Sequence, residues 1–349
     1  MRRGRTVITG ATSFVPFNVG GTAATLDGDF ATGNYFGVSG TSAFTVSRTG
    51  VSTSSIYTDS AGSSYTSFPA NTMRIISGSG LLVEEARTQY LGVTDAPATQ
   101  TTASLGTGTY TLWVIGSGTA TSSAGTATIT GGGAATAGTP NTFTVTVSGT
   151  VTVTVSGSLT RFQLENGSFA TSYIPNPGAA GTSAARAADV VSLQSTNFSS
   201  WYTNATAGTM FAEIQQAIRN TGVNRYIAAI TDNTANNRAA MFGQTDGLSI
   251  QFRLTTGAST TFNASVGSSR PNFTVERCVM GWDAASAQAA VLNVLATEDV
   301  SVTAPTSPNR LYIGSSEAGT ANFMNGYVRR VAFFPARLSN ATIQALSTV

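Results

Sequence analysis

The chain is built on alternation of apolar and polar positions. In residues 142–147, Phe143, Val145 and Val147 fall on one side and Thr144 and Thr146 on the other. After Ser148-Gly149, Val151, Val153 and Val155 repeat the pattern. A period of two with one apolar side predicts strands with one buried face, and the short turn predicts an antiparallel hairpin. Residues 108–118 alternate likewise, with Tyr110, Leu112 and Val114 opposed to Thr111, Trp113 and Ile115. β-Branched and aromatic side chains suit such half-buried pleated surfaces. The Gly- and Thr-rich run 122–141 keeps the alternation at Thr126–Thr130 and reads as short strands and loops. Residues 208–217, GTMFAEIQQA, alternate as a strand. Helical signals are few. The Ala-rich stretch 283–296 is open between helix and strand on propensity, and Ser339 or Asn340 can cap a short helix through Leu346, with Ile343 and Leu346 inward. Many short strands with frequent Gly, Asn and Asp turns predict an all-β, multi-domain β-sandwich or jelly-roll protein with few short helices.

At 349 residues the chain has room for two or three domains. Pro175 and Pro177, followed by a Gly/Ala/Ser run, mark a boundary within 172–190. The expected division is an N-terminal β-region at 1–92, a small β-sandwich at 93–178, a linker at 179–189 and a larger sandwich at 190–349.

Charged residues make up only 10% of the chain, so solubility rests on Thr, Ser, Asn and Gly. The net charge is +2, and all 18 basic residues are arginines, scattered apart from Arg2, Arg3 and Arg5. No basic stripe with interleaved aromatics is present, so no nucleic-acid partner is expected. With no histidine, His-dependent triads and His-ligated zinc are excluded. Cys278 is the sole cysteine and reads as a small buried hydrophobe. No apolar run reaches membrane-span length and no apolar segment follows the basic start, so neither membrane insertion nor a signal peptide is expected. Synthesis in a cytoplasm, with release by lysis, fits this pattern.

One short stretch poses the functional question. In LLVEEARTQYL, residues 81–91, Glu84 and Glu85 stand beside Arg87. Glycoside hydrolysis needs two carboxylates about 5–10 Å apart across a sugar. Adjacent residues on a strand point to opposite faces, so if residues 81–85 are a strand this pair cannot both face one substrate within a protomer, and Glu298-Asp299 shares the defect. No E-x-D-x-x-E run is present. No catalytic residues, and no enzyme, are expected.

These residues carry a resemblance. Gly80–Gln89, QLENGSFATSYIP at 163–175 and RAAD at 186–189 resemble signatures of a widespread group of tailed-phage and prophage virion proteins. Residues 44–62, with Arg48, Asp59 and Gly62, look like that group's strand–Asp–Gly segment. The group usually has Asn and an apolar residue where Gln89-Tyr90 stand here. The resemblance implies a β-region, then a carbohydrate-binding-like jelly-roll module. Residues 190–349 are similar to laminin-G-like, concanavalin-A-like jelly rolls, which turns the Ala-rich stretch towards strand with a turn near Asp283. It also makes Glu84, Glu85, Arg87, Glu165, Tyr173, Pro175, Arg186 and Asp189 structural signature residues, with Glu84 paired to Arg87 or a neighbouring strand.

The implied function is that of a virion-surface fibre, spike or tail-associated protein that binds host-surface polysaccharide non-covalently. Its N-terminal region would face other virion proteins, and MRRGR could anchor it. A homo-oligomer, by analogy a trimer, would multiply weak sites. A structural or decoration protein and a polysaccharide depolymerase are the alternatives. Candidate ligand residues are Asp232, Asn233, Asn236 and Asn237, whose oxygens suit sugar hydroxyls or Ca2+, and the aromatics Trp201, Tyr202 and Trp113. An Asx-rich hairpin loop and core packing are the plainer readings of these two sets. No other cofactor or metal is implied. In GYVRRVAF, Arg329 and Arg330 take opposite strand faces, so one needs an inward partner.

Overall fold

The computed structural model describes residues 17–49, 54–57, 65–219, 222–267 and 271–349. The architecture is all-β, with 49% strand and 5% helix. No described helix is long and apolar enough to cross a membrane.

The larger body is a β-sandwich. One face is a seven-stranded sheet running in the order Ser259–Gly267, Ser249–Thr256, Arg238–Gly243, Arg225–Thr231, Arg310–Ile313, Val190–Gln194 and Thr45–Ser47. The other is a nine-stranded sheet centred on Val275–Trp282, Gly208–Gln216 and Gly326–Phe334. Between them Trp282, Phe252, Ile214, Met280 and Cys278 form one core. Burial pushes the Cys278 thiol up, which keeps it inert. The Ala-rich stretch is strand: Ala287–Val291 and Val294–Leu295 meet through Leu292-Asn293, both at positive φ as a tight primed hairpin turn requires. Asp283 accepts from Ala285 and Ser286 N–H in the turn before it. At the end of the chain Ser339 caps the helix Asn340–Leu346 by accepting from Thr342 N–H, and Ile343 is buried.

The N-terminal region is not a separate domain, contrary to the division at residue 92. Leu26–Asp29 and Gly80–Val83 both pair with Gly326–Phe334, while Thr45–Ser47 pairs with Val190–Gln194. Leu26, Phe30, Phe44, Leu81 and Val83 therefore sit in the same core as Trp282. The physical reason is edge protection: the last strand of each sheet would otherwise offer unpaired N–H and C=O groups. Arg329 is the bulged residue of Gly326–Phe334 and donates to Glu213 at 2.8 Å, while Arg330 grips Asp27 at 2.6 and 2.8 Å.

The smaller body has the long strands Gly108–Ala124 and Val151–Asn166 as its spine. They bend at a bulge between Ile115 and Gly116, where a Cβ on Gly116 would stand 2.7 Å from the Ser158 carbonyl. The expected hairpin does not form. Asn141–Val147 pairs with Gly108–Ala124 and Thr128–Thr130, not with Val151–Asn166. Phe143 and Val145 instead meet Val151 and Val153 within one core, because bending the spine brings its far half over that core. Alternation was right about the buried face, but Val147 at the strand end is exposed.

The boundary segment is also ordered rather than a free linker. Ala184–Arg186 pairs with Arg87–Gln89 at the edge of the small sheet. Tyr173, Ile174, Asn176, Arg186 and Asp189 are buried. The small body thus runs past 93–178 on both sides.

Candidate functional site

The two bodies meet on a buried charge network that contains both glutamates of the questioned stretch. Glu84 does not pair with Arg87. Its carboxylate takes Arg74 at 2.8 Å and Arg186 at 2.5 Å, and accepts from Ser172 N–H at 2.9 Å and Ser172 Oγ at 2.6 Å. Asp189 receives the other edge of Arg74 and the Glu84 N–H. Glu85 turns the other way, to Arg87 at 2.8 Å, Arg225 at 2.7 Å and the Asn325 amide at 2.8 Å. Glu165, wholly buried, accepts from Trp113 Nε1 at 2.9 Å and from Thr171 N–H at 2.8 Å. Arg74 comes from the N-terminal region, Ser172 and Arg186 from the boundary segment, and Arg225 and Asn325 from the large sandwich.

Electrostatics follow from the partners. Burial pushes the Glu84 carboxyl up, but Arg186, Arg74 and the Ser172 bonds more than offset it and hold it well below the usual range. Glu85 is likewise held low, burial being outweighed by Arg87 and Arg225. Glu165 goes the other way: burial raises it, and Thr171, Arg87 and Trp113 only partly compensate. Glycoside hydrolysis needs a general acid with a raised pKa at the sugar. Glu84 and Glu85 diverge and are both lowered, and Glu165 is wholly buried. Tyr173 closes the signature, donating to Thr94 Oγ1 and Asp95, with half-buried Pro175 following.

Above this network, between the two bodies, opens a cleft of about 340 Å3. Its polar floor is Glu84, Thr171 and Ser172; its walls are Trp113, Tyr173, Pro140, Leu82, Tyr327 and Phe273. Phe273 is 54% exposed, and its φ of 61° is rare for a bulky residue. Its N–H donates to the Gln216 carbonyl at 2.7 Å, and its own carbonyl accepts from Gln215 Nε2 at 3.1 Å. Such a conformation costs about 1–3 kcal/mol and persists only when its surroundings impose it.

The other predicted ligand residues scatter. Trp201 is 1% exposed, its Nε1 donating to the Asn197 carbonyl, so it is core and cannot stack on a sugar. The Tyr202 ring is stacked on Phe198 at 4.9 Å and lies 5.2 Å from Phe333, so its faces are unavailable too, although the residue lines a second cleft. Trp113 lines the first cleft and is 8% exposed. Asp232, Asn233, Asn236 and Asn237 form the loop between Arg225–Thr231 and Arg238–Gly243. Asp232 accepts from Thr234 and Asn237 within the loop, Asn237 Oδ1 accepts from Gly257 and Thr306, and Asn233 Oδ1 accepts from Arg310 and Tyr312, while Asn236 is exposed. Among the described residues, no three acidic or cysteine side chains gather to hold a metal. Arg2, Arg3, Arg5, Asp59 and Gly62 lie outside the described residues. Sequence reasoning missed Phe273 and Tyr327; an isolated aromatic after a proline, in PNFTV, was the available signal for the first.

No family model matches the chain, and no curated protein matches it. Solved structures do. The CBM40 module of the Ruminococcus gnavus IT-sialidase, bound to α2,3-sialyllactose, has a TM-score of 0.37 at 11% identity, over 42% of this chain and 84% of that one. The leech intramolecular trans-sialidase scores 0.36 at 13% identity, over 42% and 24%. The receptor-binding domain of the botulinum neurotoxin C/D mosaic serotype scores 0.37 at 11% identity, over 46% and 40%.

Proposed function

We propose that this chain is a non-covalent glycan-binding protein of a virion surface, acting in host adsorption as a fibre, spike or tail-associated component. The observation that carries the binding part is the first cleft. Exposed Phe273 lines it together with Tyr327, Trp113, Ser172, Thr171 and Glu84. Clefts between bodies, mostly apolar with a few fixed polar groups, are where small ligands bind. Aromatic rings supply a flat apolar face to which sugar C–H groups fit. The virion and adsorption parts rest on the sequence signatures, and the N-terminal region is assigned to the virion side on that basis.

Retention of bacterial-surface polysaccharides by the intact chain on a glycan array tests the binding part. Phe273→Ala is expected to weaken retention about tenfold, roughly 1.4 kcal/mol, without changing the melting temperature by more than a few degrees. Retention indifferent to Phe273→Ala would remove the first cleft as the site. For the biological part, free protein is expected to compete with particles for host cells. If no glycan is retained while antibodies label the particle shell, the chain is a structural or decoration protein instead.

A further inference from the structure

A second cleft, of about 490 Å3, opens between the residues following Val190–Gln194 and those preceding Arg310–Ile313. Its lining carries one guanidinium, Arg310, and no carboxylate. That is unusual for this molecule. Among the described residues, every arginine except Arg253 and Arg310 lies within 4.0 Å of a carboxylate. Arg253 lies over the Phe242 ring and bonds Asn263. Arg310 is held only by neutral oxygens. Its Nε donates to Asn309 Oδ1 at 2.8 Å and its Nη1 to Asn233 Oδ1 at 3.1 Å, where Tyr312 OH also donates at 2.7 Å. These bonds fix the guanidinium plane and leave Nη2 without a hydrogen bond among the described residues.

Two further observations fall on the same cleft. The hydroxyl of Tyr202, a lining residue, is buried and has no hydrogen-bond partner among the described residues. A buried polar group left unsatisfied destabilises the fold, and a ligand hydroxyl or carboxylate reaching it removes that penalty. Two lining residues, Ser195 and Ser307, hold φ of 55° and 53°. Non-glycine residues in such backbone regions cluster at ligand clamps, where surrounding structure imposes the strain.

We propose that this cleft binds a sugar unit bearing a carboxylate, with the anion on Arg310. An oriented guanidinium forms charge-assisted bonds to a carboxylate about twice as strong as neutral ones. Ser195, Ser307 and the Gln194 amide supply partners for ring hydroxyls, and Pro308 an apolar patch for the ring's C–H side. The cavity is far larger than a free oxyanion, and its size falls in the range of small-molecule sites, about 300–1,000 Å3. This site is distinct from the first cleft and does not depend on it.

The intact chain would be titrated with glucuronate, galacturonate, glucose and inorganic sulfate, observing the ligands by NMR. One or both uronates are expected to bind saturably, at least tenfold more tightly than glucose or sulfate. Arg310→Gln is expected to weaken that binding at least tenfold, with Arg253→Gln as the control arginine that leaves it unchanged. Phe273→Ala is also expected to leave it unchanged, which separates this site from the first cleft. Absence of uronate binding, or binding unaffected by Arg310→Gln, would overturn the assignment. Sulfate binding as tightly as uronate would reduce the site to a patch for any anion and overturn the sugar.

Discussion

Replacing Glu84 by Gln is expected to lower the unfolding free energy by about 3–5 kcal/mol at pH 7, the cost of breaking a buried ion pair by removing one partner. Two guanidinium groups, Arg74 and Arg186, would lose their shared carboxylate while almost wholly shielded from water, with side-chain exposures of 0% and 3%. Asp189 still holds Arg74, but Arg186 would keep only Ser172 Oγ and the Glu85 carbonyl. The effect also has a pH signature. The folded-state pKa of Glu84 lies below its ordinary 4.5, so its stabilisation is complete above that value and is lost as pH falls towards the folded one. Below pH 4.5 the gap between wild type and Glu84→Gln should therefore narrow, by up to about 1.4 kcal/mol per pH unit. Glu165 has the opposite sign, since its raised pKa weakens the fold as pH rises, but it is present in both proteins and cancels in the difference. Guanidinium chloride unfolding at pH 7 and pH 3 measures both effects. A loss under 1 kcal/mol at pH 7, or a gap that does not change with pH, would refute the ionised-network account.

That network shows what a single sequence conveys and what it withholds. The strand Gly80–Val83 ends before Glu84 and Glu85, so strand alternation does not part them; their partners do, Arg74 and Arg186 for one and Arg87 and Arg225 for the other. Their partners were not legible: Ser172 and Arg186 lie about a hundred residues away and Arg225 farther still. Spacing carries no information about contacts of that range. The same limit explains the hairpin that does not form. Period two specifies which side of residues 142–155 is buried, whereas the choice of neighbour depends on the bulge at Gly116 and the fold-over of the spine. Strand character at 208–217 and the cap at Ser339 were legible because they depend on local chemistry. The N-terminal strands were misassigned to their own domain because short strands such as Leu26–Asp29 are too brief to show a period. Arg310 drew no notice in sequence, where it is one scattered arginine among many. Only the pairing of nearly all the others makes it stand out.

Trp201→Ala is the second change with a large expected effect, and it separates a core aromatic from a sugar platform. Trp201 packs edge-on against Phe198 at 4.9 Å and Phe333 at 5.3 Å, inside the core that joins both sheets of the large sandwich. Truncation removes the buried ring and leaves a cavity that this rigid double layer cannot close, at a cost of about 3–5 kcal/mol. Trp201→Phe refills most of the space and loses only the indole bond to the Asn197 carbonyl, so it is expected to recover more than half of the loss. A stacking platform would behave differently, with glycan retention falling in Trp201→Ala while stability held. The measurement is the unfolding midpoint of both variants alongside retention by the folded fraction on the same array. Stability loss with undiminished retention per folded molecule is the expected outcome. The reverse pattern would return Trp201 to the binding surface and require a rearrangement of the segment following Val190–Gln194 that exposes the ring.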